Sequence, residues 1–163
     1  MPRKAFRFWE EENPEDDSLS EADLEKVLLK NKFGNFELTE GVRIISDDII
    51  PEDGYLQHQP NESPMAQCGL CISVTRNKLW DLFVDLLETM KETNLLVVLD
   101  KTTISLNRVV RAGIDRCVLQ GILDEYRDLL IDDGCVGIAV AQRRKRKLLF
   151  FDDHKLIYFL QMI

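Results

Sequence analysis

The chain of 163 residues is poor in the residues on which most enzyme active sites are built. It has two histidines and four cysteines, so acid–base chemistry near neutral pH and metal binding by imidazole or thiolate have few candidate groups. The sequence contains no glycine-rich phosphate loop, no Gly-x-Ser-x-Gly turn and no His-Glu-x-x-His zinc motif. These absences disfavour an enzyme, and we expect neither a cofactor nor a bound metal.

Long apolar segments are also absent. The longest apolar runs, at residues 95–99 and 156–163, have the length of strands, whereas a membrane helix needs about 20 apolar residues. The first nine residues are basic and aromatic, and three glutamates follow them in place of the apolar segment of a secretory signal. We therefore expect a cytoplasmic protein that contacts no membrane and keeps its cysteines reduced.

The net charge of −8 is distributed unevenly. Residues 10–25 contain nine acids and no base, whereas residues 143–147 are five consecutive bases. We interpret residues 1–18 as a flexible acidic tail and residues 19–163 as one domain. Phe6, Phe8 and Trp9 in the tail form either a docking patch or a cluster packed on the domain itself.

Hydrophobic periodicity predicts the elements of the first half of the domain. Ser18 or Ser20 caps a helix that ends near residues 31–34, and residues 42–45 form a short strand. The stretch 46–67 is a long irregular loop, because it contains three prolines and Gly54. Long loops often carry function, so Tyr55 and His58 are candidate binding residues.

The middle of the chain alternates between apolar runs and helical spacing. The pattern predicts a strand at 70–74, a helix at 76–93, a buried strand at 95–99 and a long helix from Ser105 to about residue 131. Within that long helix, Gly113, Cys117 and Gly121 share one face, which indicates either close packing of another backbone or a kink at Gly113.

The end of the chain predicts an antiparallel meander of strands at 135–141, 147–151 and 155–162. One face of its first strand is small (Gly137, Ala139, Ala141) and could receive a helix. The last strand is apolar on both faces, so it should lie inside a covered sheet or at a subunit interface. We predict an α+β domain with about three helices and a mixed sheet. A parallel pairing of the strands at 70 and 95 through the intervening helix would be right-handed.

Three motifs invite a chemical interpretation. Cys68 and Cys71 have the spacing of a redox or zinc pair, but residues three apart in a strand face opposite sides. Asp100-Lys101-Thr102-Thr103 resembles the phosphoryl-accepting motif of the haloacid-dehalogenase-like phosphotransferases, but Asp132 and Asp133 follow too soon for the strands that such enzymes place between their acidic groups. Asp152-Asp153-His154 is a cation site or a hairpin turn.

The basic run Arg143-Arg144-Lys145-Arg146-Lys147 is the most distinctive feature. It falls on a predicted hairpin tip, and three roles fit it. The tip binds an anionic partner, or it is a solvated turn whose charge protects the hairpin from edge pairing, or it contacts the acidic tail of the same chain. We expect a non-catalytic domain that binds another protein through this tip and the aromatic tail, with a possible homo-oligomer through the last strand. The alternatives are a small hydrolase using Asp100, Asp133, Asp153 and His154, and a nucleic-acid accessory protein, which the overall acidity disfavours.

Overall fold

The fold is α+β, with one large sheet and a layer of helices. The computed structural model describes residues 30–44, 49–58, 66–90, 94–101 and 106–162. The strands within these ranges are β1 Lys32–Phe33, β2 Phe36–Glu37, β3 Gly54–His58, β4 Ala66–Ser73, β5 Asn94–Lys101, β6 Leu106–Ile114, β7 Val136–Gln142, β8 Lys147–Phe151 and β9 Ile157–Met162. The helices are α1 Arg76–Glu88, α2 Arg116–Glu125 and α3 Arg127–Asp132.

Seven strands form a single antiparallel sheet in the order β3-β4-β9-β8-β7-β5-β6. The predicted meander is confirmed as β7, β8 and β9, which lie in the middle of the sheet. The mixed sheet expected from the sequence is not found, because all six strand pairings in this sheet are antiparallel. Strands β4 and β5 do not pair with each other, since β9, β8 and β7 lie between them.

The helices cover one face of this sheet. Helix α1 directs Leu79, Phe83 and Leu87 inward at helical spacing. Phe83 packs against Phe151 of β8, with 5.6 Å between the ring centroids. The rest of this core comes from α2, α3 and alternate residues of the strands: Leu119, Leu123, Leu130, Ile131, Leu96, Ile138, Val140, Leu149 and Ile157.

The other face of the sheet is apolar, and we call it the open face. Side chains alternate across a strand. Besides Ser73 and Arg108, the cross-strand register places the following apolar residues on it: Leu56, Cys71, Leu95, Val97, Leu99, Val110, Ala139, Ala141, Leu148, Phe150, Tyr158 and Leu160. Within the described ranges no helix lies on this face. The small side of β7 was expected to receive a helix, but the described helices pack on its other side, that of Val136, Ile138 and Val140.

Strand β6 replaces the first part of the long helix predicted from Ser105. It pairs with β5 over its whole length, and its β-branched pair Val109-Val110 favours a strand. Helix α2 starts only at Arg116, where the Asp115 carboxylate accepts the Cys117 N–H at 2.8 Å. The predicted helix face of small residues is thus wrong, because Gly113 belongs to strand β6 and has φ at +74°. Nothing lies within 4 Å of a side chain added at Gly121.

The region before β4 also differs from the prediction. Strand β3 lies inside the stretch 46–67 that was predicted to be irregular, and it forms an edge of the sheet. Residues 42–44 are irregular where a strand was predicted. Strands β1 and β2 form a hairpin around Gly34 at φ +61°, so the helix predicted to reach residues 31–34 does not extend that far. The start of that helix and the acidic tail fall outside the described residues.

Strand β9 lies inside the sheet, as predicted, but within the described ranges helices cover only one face of that sheet and not both. Its backbone pairs with β4 on one side and with β8 on the other. An oligomer through this strand therefore cannot use edge-to-edge pairing, and only its side chains on the open face can take part. In the described ranges no helix is long and apolar enough to cross a membrane.

Candidate functional site: the basic tip

The basic tip, residues 143–147, lies where the sequence predicted it, on the turn between β7 and β8. The last paired residues are Gln142 and Lys147, so four residues form the turn and all four are exposed. Arg143, Arg144 and Arg146 form no ion pair with another described residue. Three guanidinium groups therefore face solvent on a support of two paired strands.

The turn is held by contacts with β9. The Gln161 side-chain amide donates to the Lys145 backbone carbonyl at 2.9 Å, and the Arg146 N–H donates to the Arg143 carbonyl at 3.3 Å. The Lys147 ammonium lies 5.7 Å from the centre of the Phe159 ring. Lys147 thus packs on the helix-covered side of the sheet, and the exposed charge of the tip comes from residues 143–146.

Arg146 has a left-handed backbone conformation, with φ at +52°. Glycine and asparagine adopt this conformation readily, whereas another residue type there costs about 1–2 kcal/mol. Hairpin loops built around a type I turn can close with a residue in this conformation. The chain therefore places an arginine where glycine would be more stable, and a strained residue of this kind is a reason to look for function.

The other predicted binding residues do not join the tip. Tyr55 on β3 is 70% exposed, but it pairs with Ile72 at the opposite end of the sheet, and two strands separate β3 from β8. His58 ends β3 next to Gly69, and its side chain is outside the described residues. Trp9 also lies outside them, so its role in binding stays a prediction.

A second cluster of charge lies at the opposite end of the sheet, around Lys155. The Lys155 ammonium is buried, donates to the Val136 carbonyl at 3.0 Å and lies 5.1 Å from the centre of the Phe151 ring. Burial lowers its pKa, while Asp133, Asp152, Asp153 and Asp132 in turn oppose that shift. We call these four aspartates the acidic cluster. Asp100 pairs with Val136, so it belongs to the same end of the sheet.

The acidic cluster contains Asp133 and Asp153 of the hydrolase hypothesis, and His154 lies beside Asp153, but three carboxylates of the cluster are already engaged in local structure. Asp152 is 7% exposed and accepts the Leu156 N–H at 2.8 Å. Asp133 accepts the Cys135 N–H at 2.6 Å, and Asp132 holds the Arg76 guanidinium at 2.5 Å. The bonds of Asp133 and Asp152 close the turns before β7 and β9, which favours the interpretation of Asp152-Asp153-His154 as a hairpin turn.

The same turn is the place where a cation could be held. The possible ligand atoms of Asp152, Asp153 and His154 all lie within 4.8 Å of one another, and His154 Nδ1 is 3.4 Å from an Asp153 oxygen. A cation here would meet the positive charge of Lys155, which already compensates these carboxylates. We therefore assign the cluster to the stability of the turn.

The cysteine pair does not form a chemical site. Cys68 and Cys71 both belong to β4 and face opposite sides of the sheet, as predicted, and both are free thiols. Burial raises the pKa of Cys71, whose thiol lies beside the Tyr158 hydroxyl. A thiol with a raised pKa is a poor nucleophile at neutral pH.

Two aspartates should affect acid stability with opposite signs. Burial is the main reason that the pKa of Asp152 lies above its ordinary value of 3.8, so its contribution to stability is fully present below pH 3.8 and is lost as the pH rises through the raised pKa. Arg76 is the main reason that the pKa of Asp132 lies below that value, so the contribution of Asp132 is present above pH 3.8 and is lost as the pH falls.

Replacement by asparagine should reveal these signs. From pH 3 to pH 7, Asp152→Asn should become progressively more stable relative to the original chain, and Asp132→Asn progressively less stable. Urea unfolding midpoints measured across this range give both slopes. Slopes of the same sign for the two variants would contradict the assigned environments.

Sequence reasoning missed Lys155, Tyr158 and a shallow groove of about 500 Å³ between the helices. Trp80 lines this groove and donates its indole N–H to Asp124 at 3.1 Å. A lysine after Asp-Asp-His looks solvated in the sequence, and only the meeting of the turns before β7 and β9 buries it.

Comparison of the chain with protein-family models, with curated proteins and with solved structures finds no match.

Proposed function

We propose that this chain is a protein-binding domain whose basic tip holds an acidic segment of another protein. The observation that carries the proposal is the exposed tip itself, in which Arg143, Arg144 and Arg146 form no ion pair within the described ranges and Arg146 occupies a left-handed position. A guanidinium group binds a carboxylate through two parallel hydrogen bonds. The turn presents three such groups from a rigid support.

An acidic protein segment fits the tip better than a nucleic acid does. Bases of single strands are held by stacking on aromatic side chains between basic residues. The tip contains no aromatic residue, and the neighbouring Phe159 ring is covered by Lys147. Three exposed guanidinium groups on one turn also match a short run of carboxylates better than the long backbone of a duplex.

A fluorescent peptide of ten glutamates tests the proposal. Its affinity for the full chain is measured by anisotropy at low salt, and the tip variant changes Arg143, Arg144 and Arg146 to alanine. Three exposed ion pairs of up to about 0.5 kcal/mol each predict a loss of about tenfold. The matched control changes Lys32, Arg111 and Arg127, which are also exposed, and should change the affinity less than about twofold.

Arg146→Gly separates function from stability at a single residue. Glycine relieves the left-handed strain, so the variant should be more stable by about 1 kcal/mol, while loss of one guanidinium group weakens peptide binding about twofold. Tighter binding of a single-stranded oligonucleotide than of the peptide, abolished by the tip variant, would replace the proposal with a nucleic-acid partner. Equal peptide binding by the tip and control variants would overturn it.

A further inference from the structure

The open face carries an inference that does not depend on the tip. Apart from Ser73 on β4 and Arg108 on the edge strand β6, its larger side chains are mostly aliphatic or aromatic. The Phe150 and Tyr158 rings stack in its middle with centroids 5.8 Å apart. At its margin, Val110 is 54% exposed. Soluble monomers rarely expose a continuous apolar patch of more than a few hundred Å², and larger patches mark interaction sites.

The size of the open face indicates what covers it. Seven strands spaced about 4.8 Å apart, with about five residues each at 3.4 Å per residue, give a projected area of roughly 500–600 Å². The accessible area of such a corrugated surface exceeds its projection, and it approaches the ~800 Å² that each partner buries in a stable interface. The face is therefore large enough for a dimer.

The remaining parts of this chain are a poorer match for the face. A helix of about 12 residues, as predicted for the stretch after Ser18, has a projected area of about 180 Å² and would cover about a third of it. Residues 10–25 also carry nine carboxylates, and burying these against an apolar surface is costly. A second copy supplies an apolar face of the same size and shape.

We propose that the open face is the interface of a homodimer in which two copies stack sheet on sheet. Antiparallel sheets pack face to face at a spacing of about 10 Å, and a two-fold axis makes the contact self-complementary. An axis along the strands would bring the two basic tips together. An axis across the strands instead places each tip at the end where its partner has the acidic cluster, so this orientation is electrostatically favoured.

Sedimentation velocity of the full chain from about 1 to about 100 µM tests this proposal, with a dimer expected across most of the range. Ala139→Lys places a charge in the middle of the open face while removing almost no apolar surface, and it should raise the dimer dissociation constant at least about hundredfold. Val110→Lys, at the margin of the same face, should raise it about tenfold. Val109→Lys is the matched control, because Val109 is 68% exposed on the same strand and points to the other side.

Circular dichroism shows whether each variant still unfolds cooperatively, and Val110→Lys keeps the test informative if Ala139→Lys does not fold. A wild-type monomer at all concentrations would overturn the dimer and indicate that the face is covered by the chain itself. A dimer that both open-face variants leave intact would also overturn it, because the contact would then lie elsewhere. Neither result bears on peptide binding by the tip.

Discussion

Replacing Phe151 with alanine is expected to lower the free energy of unfolding by about 3–5 kcal/mol, whereas the same change at Phe150 costs about 1–2 kcal/mol. The two residues are neighbours on β8 and point to opposite faces of the sheet. Phe151 is fully buried against Phe83, so its truncation leaves a cavity that the surrounding helices and strands only partly fill. Phe150 is half-buried on the open face, where solvent can occupy the space of the lost ring.

Urea unfolding at low protein concentration measures both changes in the monomer. A loss of 3–5 kcal/mol is a large part of the total stability of a typical domain, so Phe151→Ala should shift the midpoint strongly or prevent folding. Phe83→Leu, a milder change in the same cluster, keeps the comparison measurable in that case. Equal losses at Phe150 and Phe151 would contradict a core confined to the helix side of the sheet.

Replacing Gly41 with alanine is expected to destabilise the protein by about 3 kcal/mol, at the upper end of the usual cost of overpacking. A side chain at this position would collide with the backbone of Gly134, and one at Gly134 would collide with the backbone of Gly41. The two glycines bring the segment after β2 against the turn between α3 and β7. Backbone atoms in such a contact cannot move aside as the end of a flexible side chain can.

Gly121→Ala is the matched control for this change. Nothing lies within 4 Å of a side chain added there on α2, and alanine is favoured over glycine inside a helix, so this variant should gain about 0.5–1 kcal/mol. Thermal unfolding of the two variants gives shifts of opposite sign. A neutral Gly41→Ala would show that residues 38–44 do not pack closely on the turn before β7.

Local patterns predicted those elements whose periodicity has one interpretation. Helix α1 and the meander followed from helical spacing and from strict alternation. Strand β6 was missed because its apolar residues continue into α2 at spacings that also fit a helix, and only pairing with β5 distinguishes the two. The β1–β2 hairpin had a usable signal in Gly34-Asn35 between two phenylalanines.

The basic tip was predictable because five adjacent basic residues separate two strand-like apolar segments. Such a short charged segment between two strands is typical of a hairpin turn. The acidic cluster was not, because it joins turns that are far apart in sequence and meet only when β7, β8 and β9 pair. The open face was also beyond local reasoning. Alternation shows that β7 has a large and a small side, but the packing of α1 decides which of them the helices cover.

Hydrogen–deuterium exchange of the full chain with and without the ten-glutamate peptide locates the bound peptide. Slower exchange is expected in the turn at residues 143–147, with little change over α1, α2 and α3. This protection should disappear in the variant that changes Arg143, Arg144 and Arg146 to alanine. Protection located on the helices or around Lys155, with the turn unchanged, would contradict the basic tip as the binding site.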